Sequence, residues 1–100
     1  MITITAVIRV KPGHAAAMRT ALLEVAGAVA ADEPGTVGYF VSQSLERPEV
    51  FTTYERFVDR AAMDRHNDSP ALQRFIAAAK DRLAAPVRLY TAAELSARQA

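Results

Sequence analysis

Between residues 2 and 10 apolar and polar side chains alternate, with Ile2, Ile4, Ala6, Ile8 and Val10 on one face and Thr3, Thr5, Val7 and Arg9 on the other. A repeat of two is that of a strand with one buried face. Lys11-Pro12-Gly13 ends it, and from His14 to about Ala31 the period becomes helical. Met18, Leu22, Val25 and Val29 fall there at three- and four-residue steps among alanines that favour helix. Glu33-Pro34-Gly35 stops the helix. Residues 36–46 alternate again, with Val37, Tyr39, Val41, Gln43 and Leu45 on one face. Arg47-Pro48-Glu49 then leaves room only for a tight turn before a third strand, residues 50–57, whose Phe51, Thr53, Glu55 and Phe57 share a face. So short a connection implies an antiparallel hairpin.

Asp59 reads as the N-cap of a short helix ending near His66, and Ser69-Pro70 as a second cap with proline at the first helical position. The helix that Pro70 opens is expected to reach about Leu83, with Leu72, Phe75, Ile76, Ala79 and Leu83 on its stripe. A last short strand covers residues 87–90, and Thr91-Ala92-Ala93-Glu94 has the form of a capping box, so the tail turns helical or frays. The order strand, helix, strand, strand, helix pair, strand defines an α+β fold, a ferredoxin-like split βαβ sandwich with an antiparallel sheet and helices on one face. Residues 1–100 form one domain, with a core over about 2–90 and a tail over 91–100.

Composition sharpens this picture. Of 100 residues 51% are apolar, but 21 are alanine, so only 30 side chains are large enough to fill a core. The second sheet face has no covering element and carries Val7, Phe40, Tyr54 and Val50 among Thr3, Thr5, Ser42 and Thr52, a half-apolar surface best buried in a homodimer. Twelve basic residues against eleven acidic ones, a net charge of +1, provide no field for nucleic acid or anionic lipid. No apolar run approaches the roughly 20 residues of a membrane span, and no basic leader precedes an apolar stretch, so a cytoplasmic protein is expected. Cysteine is absent, which removes thiolate chemistry and disulfides.

Candidate chemistry is sparse. No phosphate loop, nucleophile elbow or paired-histidine metal motif is present, and Asp64, His66 and Asp68, spaced by twos, point to different sides of a helix, so no metal is expected. His66, on the side of Ala62 and Met63, faces the sheet; its ordinary pKa of about 6.5 suits proton transfer, though a histidine at a helix end also serves simply to bond a carbonyl. Glu55 sits on an otherwise apolar strand face with Thr53. A carboxylate there is either the partner of a cation or a group in a pocket, and Glu55 with His66 forms a plausible dyad. Tyr39 shares that space, as a donor or as a core residue. His14 is expected to be exposed and inert.

The stretches Glu33-Pro34-Gly35-Thr36-Val37-Gly38-Tyr39, Tyr54-Glu55-Arg56-Phe57-Val58-Asp59 and Ala62-x-x-x-His66-x-x-Ser69-Pro70 resemble the antibiotic biosynthesis monooxygenase family of dimeric α+β barrels. The resemblance runs from Ile2 to about Tyr90. It implies a homodimer with a pocket between sheet and helices in each subunit. Some members carry out cofactor-free oxygenation of quinols or polycyclic phenols; others degrade haem or isomerise a small phosphorylated hydroxy-ketone. The haem-degrading branch uses an asparagine, a tryptophan and a histidine where this chain has Ile8, Phe57 and a position near Phe75 or Ile76, so haem is not expected. The leading expectation is a monooxygenase without cofactor that acts with molecular oxygen on a quinol-like or phenolic substrate. In it His66 is base or proton shuttle, Glu55 orients it, and Tyr39, Thr53, Phe57, Phe75 and Ile8 hold the substrate. An isomerase of a small phosphorylated keto compound would need a phosphate-binding arginine, with Arg74 or Arg88 as candidates. A dimeric binding protein without turnover would show an aliphatic pocket with Glu55 locked to an arginine.

Overall fold

In the computed structural model, which describes residues 1–99, the first alternating segment is β1 (Ile2–Arg9), with Ile4, Ala6 and Ile8 buried on its inner face. A turn through Gly13, whose φ of +86° suits a residue without a Cβ, leads into α1 (Ala15–Asp32). Met18, Leu22, Val25 and Val29 are its buried stripe. The hairpin follows as β2 (Thr36–Gln43) and β3 (Val50–Phe57). Then come α2 (Arg60–Asn67), α3 (Pro70–Ala79) and β4 (Arg88–Ala93). Both expected caps form: Asp59 Oδ1 accepts from the Ala62 amide at 2.8 Å and Ser69 Oγ from the Leu72 amide at 3.2 Å.

All neighbouring strands are antiparallel and the sheet order is β2-β3-β1-β4, the ferredoxin-like arrangement. The inner face divides into two clusters. Ala6, Ile8, Val10 and Phe51 meet Met18 and Leu22 of α1 and Ala79 of α3, while Ile4 and Phe57 meet Ala62 and Met63 of α2. Among the described residues no helix is long and apolar enough to cross a membrane.

Five local expectations are corrected. A β-bulge sets Thr36 opposite Phe57 and Gly38 opposite Arg56, so Val37 is the extra residue; it lines the outer side with Phe40 rather than sharing the face of Tyr39. Thr36 turns inward as a result. Strand β2 stops at Gln43, because Ser44 Oγ accepts from the Arg47 amide at 3.0 Å and closes the turn early, which leaves Leu45 fully exposed. Helix α3 stops at Ala79, because the Lys11 amide donates to the carbonyl of Arg82 and the Ala84 amide to that of Arg9, pulling residues 82–84 alongside the end of β1. Finally, Thr91-Ala92-Ala93 extends β4 instead of starting a helix, opposite Ile4, Thr3 and Ile2, since the edge of β1 offers backbone partners that a short terminal helix would lack. His14 is half-buried and accepts from the Arg82 guanidinium at 3.1 Å, so it is neither exposed nor unpartnered.

The outer face is an aromatic row. The register places Phe40, Tyr54, Thr5 and Tyr90 in line across all four strands. Phe40 and Tyr90 are more than half exposed, and the rings of Phe40 and Tyr54 lie 6.2 Å apart. Glu94, just beyond β4, accepts from Arg56 at 2.7 and 2.8 Å and from the Tyr54 hydroxyl at 3.1 Å.

Two glycines test the packing from opposite directions. A Cβ on Gly35 would stand 2.7 Å from the Cβ of Ala62, so α2 rests directly on the α1–β2 loop. A Cβ on Gly27, inside α1, meets nothing within 4 Å. Gly35→Ala is therefore expected to lower the unfolding free energy by about 1–3 kcal/mol through overpacking, and Gly27→Ala to raise it by roughly 0.5–1 kcal/mol through helix propensity. Urea denaturation of both variants checks this; equal midpoints would contradict it.

Candidate functional site

Helix α2 is short, but its phase is set at both ends. Asp59 caps it, Ala62 and Met63 are buried, and one turn later His66 enters the same interior at 2% exposure. There its Nδ1–H donates to Oε1 of Glu33 at 2.7 Å, while Nε2 lies 3.2 Å from Oε1 of Glu55. Thr36 Oγ1 donates to the same Glu33 oxygen at 2.8 Å, and Thr53 Oγ1 donates to Oε2 of Glu55 at 2.7 Å. Tyr39 and Phe57 flank the imidazole, with ring centroids at 5.5 and 5.4 Å and tilts near 50°. A positive ring between two aromatic faces and two carboxylates is favoured over a neutral one.

The electrostatics follow from this enclosure. Burial by itself lowers the imidazole pKa, but hydrogen bonding to Glu55 and Glu33 and their negative charge raise it further, and the net displacement is above the ordinary histidine value. Burial, then the charges of Glu55 and Glu33, push the Tyr39 phenol well above its usual value, so it stays a neutral O–H donor.

Beside this cluster lies a cavity of about 340 Å³ between the sheet and α3. Ile4, Ala6 and Ile8 of β1 form its floor, Tyr39, Thr53, Glu55 and His66 one wall, and Leu72, Phe75 and Ile76 of α3 face Val87, Leu89 and Thr91 across the mouth. A mainly apolar lining with a few convergent polar groups is the usual form of a small-molecule site. Ile76 and Leu89 are both more than half exposed there, which makes an apolar rim.

Of the residues singled out from sequence, His66, Glu55, Tyr39, Thr53, Phe75 and Ile8 all border the cavity. Phe57 does not. It is fully buried behind the imidazole and supports the ring instead of meeting a ligand. Both ring nitrogens of His66 face carboxylates, so in its charged form the imidazole is a donor on both sides. Glu33, read as part of a helix stop and of a family-like stretch but not as a site residue, is the partner that the sequence did not reveal, along with Asn67, Leu72, Leu89 and Thr91 at the cavity edge. A side chain just past a helix end has no periodicity to mark the direction in which it points.

The alternative chemistries find less support here. Arg74 lines an outer groove with Asp64 and Asp68, and Arg88 stands opposite Val7 on the outer sheet face, so neither reaches the cavity. Glu55 is held by His66 and Thr53, not by an arginine. Haem does not fit: among the described residues the only imidazole at the cavity has both nitrogens engaged, and Ile8 and Phe57 offer no polar atom.

The family model for antibiotic biosynthesis monooxygenases matches residues 1–78. Solved structures give the same fold. A provisionally assigned antibiotic biosynthesis monooxygenase from Nitrosomonas europaea is 21% identical, covers 96% of this chain and 100% of its own, and superposes with a TM-score of 0.88. A protein from Mycobacterium tuberculosis is 23% identical over 98% of both chains, with a TM-score of 0.89. One from Pseudomonas aeruginosa is 27% identical over 95% of this chain and 94% of its own, with a TM-score of 0.84. No curated protein sequence matches the chain.

Because the folded pKa of His66 lies above its unfolded value of about 6.5, the folded state binds the extra proton and its stabilising effect is complete below that pH. It is lost as pH rises through the folded pKa. Urea denaturation from pH 6 upward should show the unfolding free energy falling by about 1.4 kcal/mol per pH unit across that interval, with a shallower slope in Glu55→Gln. A pH-independent unfolding free energy would contradict the ion-paired assignment.

Proposed function

The chain is a member of the antibiotic biosynthesis monooxygenase family, and from that premise we propose that it is a cofactor-independent monooxygenase of an electron-rich quinol-like or phenolic molecule. The observation that carries this reading is a buried carboxylate, Glu55, fixed by His66 and Thr53 at the wall of an apolar cavity that also presents a neutral phenol, Tyr39. Such a wall favours a ligand with a hydroxyl to donate and disfavours an anionic one.

In this mechanism Glu55 is the base. It takes the substrate hydroxyl proton, and the imidazolium beside it stabilises the carboxylate without competing for the substrate. The Tyr39 hydroxyl donates to the oxygen on which negative charge develops. The resulting anion transfers electrons to molecular oxygen; one oxygen atom replaces a ring hydrogen, and the other leaves as water with the hydrogens lost from the ring carbon and the hydroxyl. Ile8, Phe75 and Leu72 orient the ring and exclude water, so the charge is not spread into solvent.

We also read the aromatic row of the outer sheet face as the contact between two copies. Phe40 and Tyr90 are too exposed and too large for a solvated surface, and the neighbouring Val7 and Val50 are only half covered.

Oxygen uptake with a panel of quinols and phenols tests the activity. Wild type should consume oxygen with at least one of them, Glu55→Gln should lose about 100-fold or more in kcat, and Tyr39→Phe about tenfold. Ligand binding without uptake in wild type, or full activity in Glu55→Gln, would overturn the assignment. Sedimentation velocity should find a dimer that Phe40→Asp converts to monomer, with loss of structure on dilution; a stable folded wild-type monomer would contradict the interface.

A further inference from the structure

Glu33 and Glu55 lie on opposite sides of one imidazole. Glu55 borders the apolar cavity between sheet and α3, whereas Glu33 borders a separate groove outside it, rimmed by Asp32, Asp64, Arg65, Asp68 and Arg74. His66, almost without exposure, is among the described residues the only side chain paired with both carboxylates. Glu33 uses Oε1 for both His66 and Thr36; its Oε2 has no hydrogen-bond partner among the described residues, and the side chain keeps 13% exposure to solvent. The wall between the apolar cavity and the outer groove is thus crossed at this point by a line of exchangeable groups.

We propose that Glu55, His66 and Glu33 form a proton conduit through this wall, with Glu33 as its solvent-side terminus. The proposal rests on the reading of the cavity as a site of proton transfer. In the central state both carboxylates are ionised and the imidazole carries two N–H bonds. If the Nδ1 proton crosses to Oε1 of Glu33, the N–H bond breaks, an O–H bond forms, and a neutral His66 with Nε2–H remains beside a carboxylic acid open to the groove. If the Nε2 proton crosses to Oε1 of Glu55, a neutral His66 with Nδ1–H faces a carboxylic acid on the cavity side. The total charge is −1 in all three states, so a single proton samples both sides by hops across contacts of 2.7 and 3.2 Å. A groove water removes it from Glu33 while Glu55 holds the substrate proton, and the same path returns a proton to Nδ1 once Glu55 has given its own to the departing water, so the two ring nitrogens never exchange places.

The groups that face His66 are Glu33 from the α1–β2 loop, Glu55 from β3 and Tyr39 from β2; Asp64 and Asp68 of its own segment line the groove side. Tyr39 stays protonated, so the two carboxylates alone can take the proton. The acidic rim offers acceptors that carry it onward into solvent.

With only two histidines in the chain, nitrogen-15 NMR of histidine-labelled protein resolves the His66 ring protons directly. The experiment measures their exchange with water, with the charge state of the ring in each variant read from its two nitrogen-15 shifts. Passage through Glu33 predicts a wild-type exchange rate that is flat with pH, because the acceptor is a carboxylate; direct attack by hydroxide would rise about tenfold per pH unit. Glu33→Gln keeps an acceptor oxygen for Nδ1–H but cannot take the proton, and exchange should slow by about tenfold or more. Thr36→Val leaves the carboxylate in place and should retain the wild-type pH-independence. A purely structural Glu33 predicts the reverse, faster exchange as Glu33→Gln loosens the ring. Unchanged or faster exchange in Glu33→Gln, or a hydroxide-dependent rate in wild type, would overturn the conduit. These measurements need no substrate. Absence of oxygen uptake in wild type would sink the monooxygenase reading while leaving the conduit to be decided by exchange alone.

Discussion

An imidazole buried with a carboxylate on each nitrogen is the interaction around which the rest of this domain is arranged. Neither a lone buried carboxylate nor a lone buried imidazolium would be tolerated at such depth; removing one partner of a buried ion pair typically costs about 3–5 kcal/mol. The three groups come from distant parts of the chain, the loop after α1, the middle of β3 and the last turn of α2. Bringing them together constrains all three elements. Gly35 lets α2 lie against the loop at van der Waals contact, the Asp59 cap sets the phase that turns His66 inward, and the bulge at Val37 turns Thr36 toward Glu33.

The same arrangement separates the polar from the apolar duties of the interior. Phe57 and Phe51 fill the sheet face under the helices, so the ionic cluster needs no further packing from α3. Helix α3 leans on α1 and leaves a gap over β1 and β4 that becomes the cavity. In the proposed reaction its walls contribute orientation and dryness, and its one charged wall contributes the proton chemistry. Low dielectric strengthens the ion pairs and keeps Tyr39 neutral, so the chemistry and the stability of the fold draw on the same enclosure.

Much of this was legible in the residue pattern where a side chain has a periodic neighbour. Ile4, Ala6 and Ile8, the four buried residues of α1, and Phe51 through Phe57 all lie where alternation or helical spacing places them. Asp59 and Ser69 declared their caps because capping needs one side chain at one position. The pairing of Glu55 with His66 followed from a carboxylate on an apolar face and an inward histidine. What escaped has no period. Val37 changed faces through a bulge, Leu45 was released by a turn that Ser44 closed early, and β4 lengthened because the edge of β1 had backbone groups to satisfy. Glu33 belongs with these, since its direction depends on how the chain leaves a helix and enters a bulged strand. That one unread direction bears on the proposed roles: a histidine with a free nitrogen would be the base, whereas one held on both sides makes Glu55 the proposed base.

Neutron diffraction from a perdeuterated crystal grown near neutral pH tests the central claim most directly. Deuterium is expected on both Nδ1 and Nε2 of His66, with none on the facing oxygens of Glu33 and Glu55. A bare ring nitrogen, with deuterium on either carboxylate oxygen or absent from that contact, would contradict it.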